Sequence, residues 1–60
     1  MKQEYKVVAV HDEIFWNAIK ELEEKVNLFL GKGWEVSGGI AMIVDDADDY
    51  CFTQAMIKKN

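Results

Sequence analysis

Arginine is absent from this 60-residue chain, and eleven carboxylates against seven lysines leave a formal charge of -4. Proteins that grip duplex nucleic acid concentrate basic charge and use the planar guanidinium for bases and phosphates, so a nucleic-acid polymer is not an expected partner. The carboxylates are spread along the chain and read as a solvated surface. Cysteine occurs once, at Cys51, which excludes an intrachain disulfide. Small secreted folds usually need several such bridges, so a reducing, cytoplasmic location is expected. There is no run of ~20 apolar residues to span a membrane, and the start Met1-Lys-Gln-Glu-Tyr5 lacks the apolar stretch of a secretory signal. Also missing is any catalytic or metal-ligand constellation at a specific spacing. The expectation is therefore a protein that is not an enzyme and uses no cofactor and no metal.

What the chain does have is grease: 50% of its residues are apolar. Residues 1–60 make one domain at most, and a chain this short buries only ~60% of the surface its unfolded form exposes. The surplus has to face something.

The chain turns on Gly31-Lys-Gly-Trp34, where an apolar helical pattern stops and an apolar strand begins. Before it, Gln3–Val10 is rich in β-branched residues and reads as a first strand, with Tyr5, Val7 and Ala9 on one side and Lys6, Val8 and Val10 on the other. Asp12 then offers an oxygen to the free amides of a helix start, and a helix is predicted from about Asp12 to Leu30. A start at Asn17 is the other choice. Phe15, Ala18, Ile19, Leu22, Val26, Phe29 and Leu30 recur at three- and four-residue steps and form its buried stripe. Lys20 with Glu24 and Glu21 with Lys25 stand four apart on the opposite side. Gly31 or Gly33 gives the left-handed conformation that ends the helix. A second strand is expected over Trp34–Val44, with a bulge at Gly38-Gly39 beyond which the facing is open. Asp45–Asp49 is a polar turn, and Tyr50–Lys58 a third strand.

These elements give an α+β fold of β-α-β-β order. A right-handed crossover sets the first and second strands parallel with a gap, and the hairpin returns the third into it, for a sheet order of 1-3-2 under one helix. The sheet face away from the helix stays bare. Burying ~400 Å² of its apolar surface in a second copy is worth ~10 kcal/mol before association costs, so a homo-oligomer is expected.

Candidate binding residues follow from chemistry. Trp34 has a flat, polarisable ring and an N–H, which suits stacking on a planar ligand and equally suits packing under the helix end. Gly38 and Gly39 allow close approach of a ligand or of backbone, or simply a bulge. Gln54, polar within an apolar strand, reads either as a ligand contact or as a group satisfied by a cross-strand or subunit contact. If the outer strands pair antiparallel, Lys2, Lys6, Lys58, Lys59 and the terminal amine gather at one end, as an anion site or a solvated cluster. Trp16 and Leu28 lie off the buried stripe and are candidate anchors for a protein partner. At the other end His11, Asp12 and Glu13 approach Asp45, Asp46, Asp48 and Asp49. These are ligand types for a hard cation, but without the glycine and terminal glutamate of a calcium loop they read as an ordinary acidic turn. His11 as a base and Cys51 as a nucleophile have no sequence-defined partners.

The blocks Leu22-Glu-Glu-Lys-Val-Asn27, Gly33-Trp-Glu35, Gly38-Gly39 and Gln54-Ala-Met-Ile-Lys58, in this order, resemble a family of very short bacterial and phage proteins catalogued as domain-of-unknown-function family 1737. The resemblance spans nearly the whole chain, implies a small α/β unit and names no activity; His11–Trp16 looks longer than the family's usual approach to the helix. The element order is also similar to that of the dodecins, flavin-storing oligomers with an aromatic residue early in the second strand, where Trp34 would sit. That likeness is of fold alone. Together these readings point to a homo-oligomer that holds a small aromatic or nucleotide-like ligand where subunits meet, in one form a phage sponge for a host signalling nucleotide. The alternative is an interaction module that blocks a host protein through Trp16 and Leu28.

Overall fold

Tyr50–Lys59 forms the strand on which every other strand pairs. In the computed structural model, which describes residues 2–59, the elements run β1 (Gln3–Asp12), α1 (Phe15–Leu30), β2 (Glu35–Val36), β3 (Ala41–Val44) and β4 (Tyr50–Lys59). β1 covers one edge of β4 along its whole length, from Gln3 opposite Lys59 to Asp12 opposite Tyr50. β2 and β3 share the other edge, with Glu35 opposite Ile57 and Ala41 opposite Thr53. All three ladders are antiparallel to β4.

The class is the expected α+β, but the sheet has four strands and not three. The predicted strand Trp34–Val44 breaks because residues 37–40 face only Gln54 and Ala55 on β4. Gly38 takes φ +78° there, a backbone region closed to most side chains. Val36, opposite Met56, and Met42, opposite Phe52, nevertheless lie on the same side of the sheet, so the facing left open in the sequence is preserved across the break.

The start of the helix also differs. β1 runs on through His11 and Asp12, which pair with Cys51 and Tyr50, and α1 begins at Phe15 with Ile14 before it. Asp12 does not sit at the helix cap; its Oδ1 accepts the N–H of Ile14 at 2.8 Å and so turns the chain from strand to helix. Long-range pairing has won over the local capping preference.

Cross-strand alternation sends Val8, Val10, Phe52, Gln54 and Met56 toward α1, where Ala18 and Leu22 meet them, and all are buried. Phe15 fixes the helix start: its ring packs edge-on against Tyr50 at 5.4 Å and Phe52 at 5.6 Å. At the far end Gly33, φ +93°, turns the chain so that the Trp34 N–H donates to the Phe29 carbonyl at 3.0 Å. Trp34 therefore closes the core beside Phe29, and Leu30, predicted in the buried stripe, is left exposed.

α1 covers β1, β4 and β2 but makes no contact with β3. Ala41, Met42, Ile43 and Val44 are consequently exposed on both faces. On the outer face of the sheet Tyr5 is 67% and Ile43 65% exposed, with Val7 and Ala9 also open. The accessible surface, 4387 Å², exceeds the ~4000 Å² typical of a folded monomer of this mass. Among the described residues no helix is long and apolar enough to cross a membrane.

Met56 is fully buried at the centre of the sheet, beneath α1. Met56→Ala is expected to cost about 2–5 kcal/mol, a large part of the stability of so small a domain. Chemical denaturation at fixed protein concentration measures it, and a change below about 1 kcal/mol would mean that the core is not centred there.

Candidate functional site

The residues singled out by sequence separate into distinct places. Gln54 is buried beneath the break between β2 and β3, and its Nε2 donates to the carbonyls of Ala55 at 2.9 Å and Gly38 at 3.1 Å, with the Ser37 carbonyl 3.5 Å away. Its amide ties the break to β4, the cross-strand contact that the sequence offered for it. Gly38 belongs to the same arrangement through its carbonyl, and at both Gly38 and Gly39 a side chain would point into open space. A shallow groove of about 170 Å³ beside them is lined by Leu22, Glu23, Val26, Asn27, Ile40 and Gln54. It is smaller than the ~300 Å³ at which small-molecule sites begin.

Trp34 and Lys6 do come together. The Lys6 ammonium lies 4.5 Å from the Phe29 ring centre and 5.4 Å from that of Trp34, with the two rings edge to face at 6.2 Å. The Lys58 side chain lies beside Gly33, at the same end. Lys59 stands opposite Gln3, and Glu4 opposite Lys58, so a carboxylate is interleaved among the lysines. The terminal amine expected there belongs to Met1, outside the described residues.

From Lys6 a larger groove, about 440 Å³, follows the free edge of β1 under the flank of α1. Val8, Leu28 and Phe29 give it apolar walls, and Lys6 and Lys25 bring two ammonium groups to it. Sequence reasoning missed Lys25 here, since at four residues from Glu21 it reads as a surface ion-pair partner. In the fold its Nζ reaches the Ala9 carbonyl on the β1 edge at 3.3 Å. Leu28, taken as a partner anchor, is a wall of this groove and 55% exposed. Trp16, 72% exposed, stands about 120° around the helix axis from it and touches Phe15. The two do not form one surface.

At the opposite end the polar turn folds around Asp45. Its Oδ1 accepts the N–H groups of Ala47 at 2.9 Å and Asp49 at 3.0 Å, and its Oδ2 meets His11 Nε2 at 2.9 Å. Asp49 Oδ2 approaches the same nitrogen at 3.0 Å. Of the acidic residues expected at His11, these are the two that arrive. The bond to Asp45 raises the pKa of His11 above its usual 6.5, opposed by loss of solvation and aided by the charges of Asp49, Asp45 and Asp12. The Asp49 N–H and the His11 bond hold Asp45 below its usual 3.8.

Cys51 stands directly opposite His11 in the β1–β4 ladder. Burial, followed by the charges of Asp45 and Asp49, pushes its thiol pKa up. A nucleophilic cysteine needs the reverse, a thiolate favoured by positive surroundings. The surroundings of Cys51 thus favour its thiol over the thiolate.

No protein-family model matches the chain, and no curated protein and no solved structure matches it either.

The His11 pair makes the pH response of this end predictable. Because the folded pKa of His11 is raised, its contribution to stability is complete below about 6.5 and is lost as the pH climbs through the folded value. Asp45, depressed, contributes above about 3.8 and loses its effect as the pH falls. An NMR titration of the His11 ring should give a pKa above 6.5 that falls back toward that value in Asp45→Asn. An unshifted titration, or one indifferent to Asp45→Asn, would remove the ion pair from the account.

Proposed function

We propose that this chain is a non-enzymatic subunit of a homo-oligomer that holds a small, flat, anionic molecule where subunits meet. The observation that carries this reading is the uncovered apolar sheet: Tyr5, Val7, Ala9 and Ile57 on its outer face, and Ala41–Val44 exposed on both sides. Exposed apolar patches of this kind, continuous with an unpaired strand edge, are the usual mark of a protein contact. A second copy of the same chain is the occupant most in keeping with a domain too small to bury its own apolar residues.

The ligand reading rests on the groove beside β1. Two ammonium groups flank apolar and aromatic walls there, a combination suited to an aromatic ring bearing phosphate. On one chain the groove is open, and a neighbouring subunit would supply its missing wall. Nucleotides and flavins are the classes with both features. The resemblance to a family with phage members adds a form for this function, the sequestration of a signalling nucleotide.

Native mass spectrometry of the purified protein is expected to give a single oligomer, and Val7→Glu or Ile43→Glu to shift it to monomer with the fold retained by circular dichroism. A strictly monomeric wild type at micromolar concentration would sink the reading. In a thermal-shift panel of nucleotides and flavins, a true ligand at 100-fold over its Kd should add about 2.7 kcal/mol of stability. Lys6→Ala and Lys25→Ala should each weaken binding roughly tenfold, the scale of one lost charged hydrogen bond.

A further inference from the structure

The hairpin tip carries a second site, separate from the groove, at the end of the outer sheet face where Cys51 stands opposite His11 on one side and Ile43 on the other. We propose that His11, Asp45 and Cys51, with Asp49 beside them, bind one divalent cation of borderline softness, with zinc the leading choice.

The donors come from separate parts of the chain and are brought to one spot by the sheet. His11 on β1 and Cys51 on β4 are a direct antiparallel pair, so their side chains leave the same face with Cβ atoms about 4.5–5.5 Å apart. Asp45 arrives from the turn that joins β3 to β4. One donor atom from each of the three lies within 4.8 Å of the others. Tetrahedral zinc, with bonds of about 2.0–2.3 Å, separates its donors by about 3.3–3.7 Å, so side-chain rotation of roughly 1 Å closes the site without backbone movement.

The donor Asp45 is already aimed. Two backbone N–H groups occupy its Oδ1 and leave Oδ2 directed at His11, the kind of outer support that fixes a metal-binding carboxylate. Asp49 Oδ2 contacts the same imidazole nitrogen at 3.0 Å, as near as Asp45 at 2.9 Å. A single N–H cannot point along both directions, whereas a cation in place of that proton can face both carboxylates. Imidazole, thiol and carboxylate together are wrong for calcium or magnesium, which take oxygen, and right for zinc. As the bonds form, the Sγ–H proton of Cys51 and any proton on the ligating nitrogen of His11 pass to solvent.

Cobalt(II) is the probe, since it takes zinc's geometry and is coloured. Titrating the reduced, metal-free full chain with cobalt should give 1:1 binding, ligand-field bands of four-coordinate intensity, and a near-ultraviolet thiolate-to-cobalt charge-transfer band that zinc abolishes by displacement. Cys51→Ser, nearly isosteric, should remove the charge-transfer band and weaken binding at least about tenfold, and His11→Ala should weaken it comparably. Asp46→Asn, in the same turn but outside the cluster, should leave both unchanged. Absence of the charge-transfer band at one equivalent overturns the proposal. So does a folded Cys51→Ser that binds cobalt as tightly as wild type, or an Asp46→Asn that loses as much as His11→Ala.

Discussion

One helix can cover one face of one sheet, and this chain has apolar residues on both faces. That mismatch governs the rest of the structure. β4 shows it most plainly: Phe52 and Met56 are buried under α1, while Ile57, Ala55 and Cys51 point the other way and are only half-buried. With so little chain available, the core consists of a single layer of contacts between α1 and the sheet. Everything on the far side depends for its burial on some other surface.

The two ends of the sheet differ in chemistry because antiparallel pairing sorts the charges. β1 and β4 run in opposite directions, so the start of one lies beside the end of the other. Lys6 and Lys58 are thereby set near Trp34 at one end, and His11 is set beside Asp45 and Asp49 at the other. A chain with a modest formal charge of -4 thus becomes a body with a basic end and an acidic end. The aromatic rings follow the same division, Phe29 and Trp34 with the lysines, Phe15, Tyr50 and Phe52 near the helix start.

Much of the fold could be read from local pattern. The stripe Phe15, Ala18, Ile19, Leu22, Val26 and Phe29 has helical spacing, and each of these residues does face the sheet. Gly33 and Gly38 marked the turn and the break because the backbone there takes positive φ, which glycine permits. Readings failed where distant residues decide. Asp12 has the chemistry of a helix cap, but Tyr50 opposite it keeps it in β1. That the second strand would become two depends on the Gln54 amide, whose target carbonyl at Gly38 no local window contains. The groove of Lys6, Lys25, Leu28 and Phe29 was illegible for a related reason: its walls are neighbours only after α1 has settled on β1.

The interruption at Gly38-Gly39 has a consequence for how the two short strands are held. β2 takes its alignment from the helix crossover behind it, and β3 takes its own from the Asp45–Asp49 hairpin ahead of it. Nothing requires the two alignments to agree, and with Ser37 and Gly38 tied to β4 the discrepancy is absorbed at Gly39 and Ile40. A residue added or lost at Gly39, where a side chain would meet open space, would leave both anchors where they are. The sheet therefore contains an expansion joint, and changes in chain length are tolerated there without disturbing which side chains face α1.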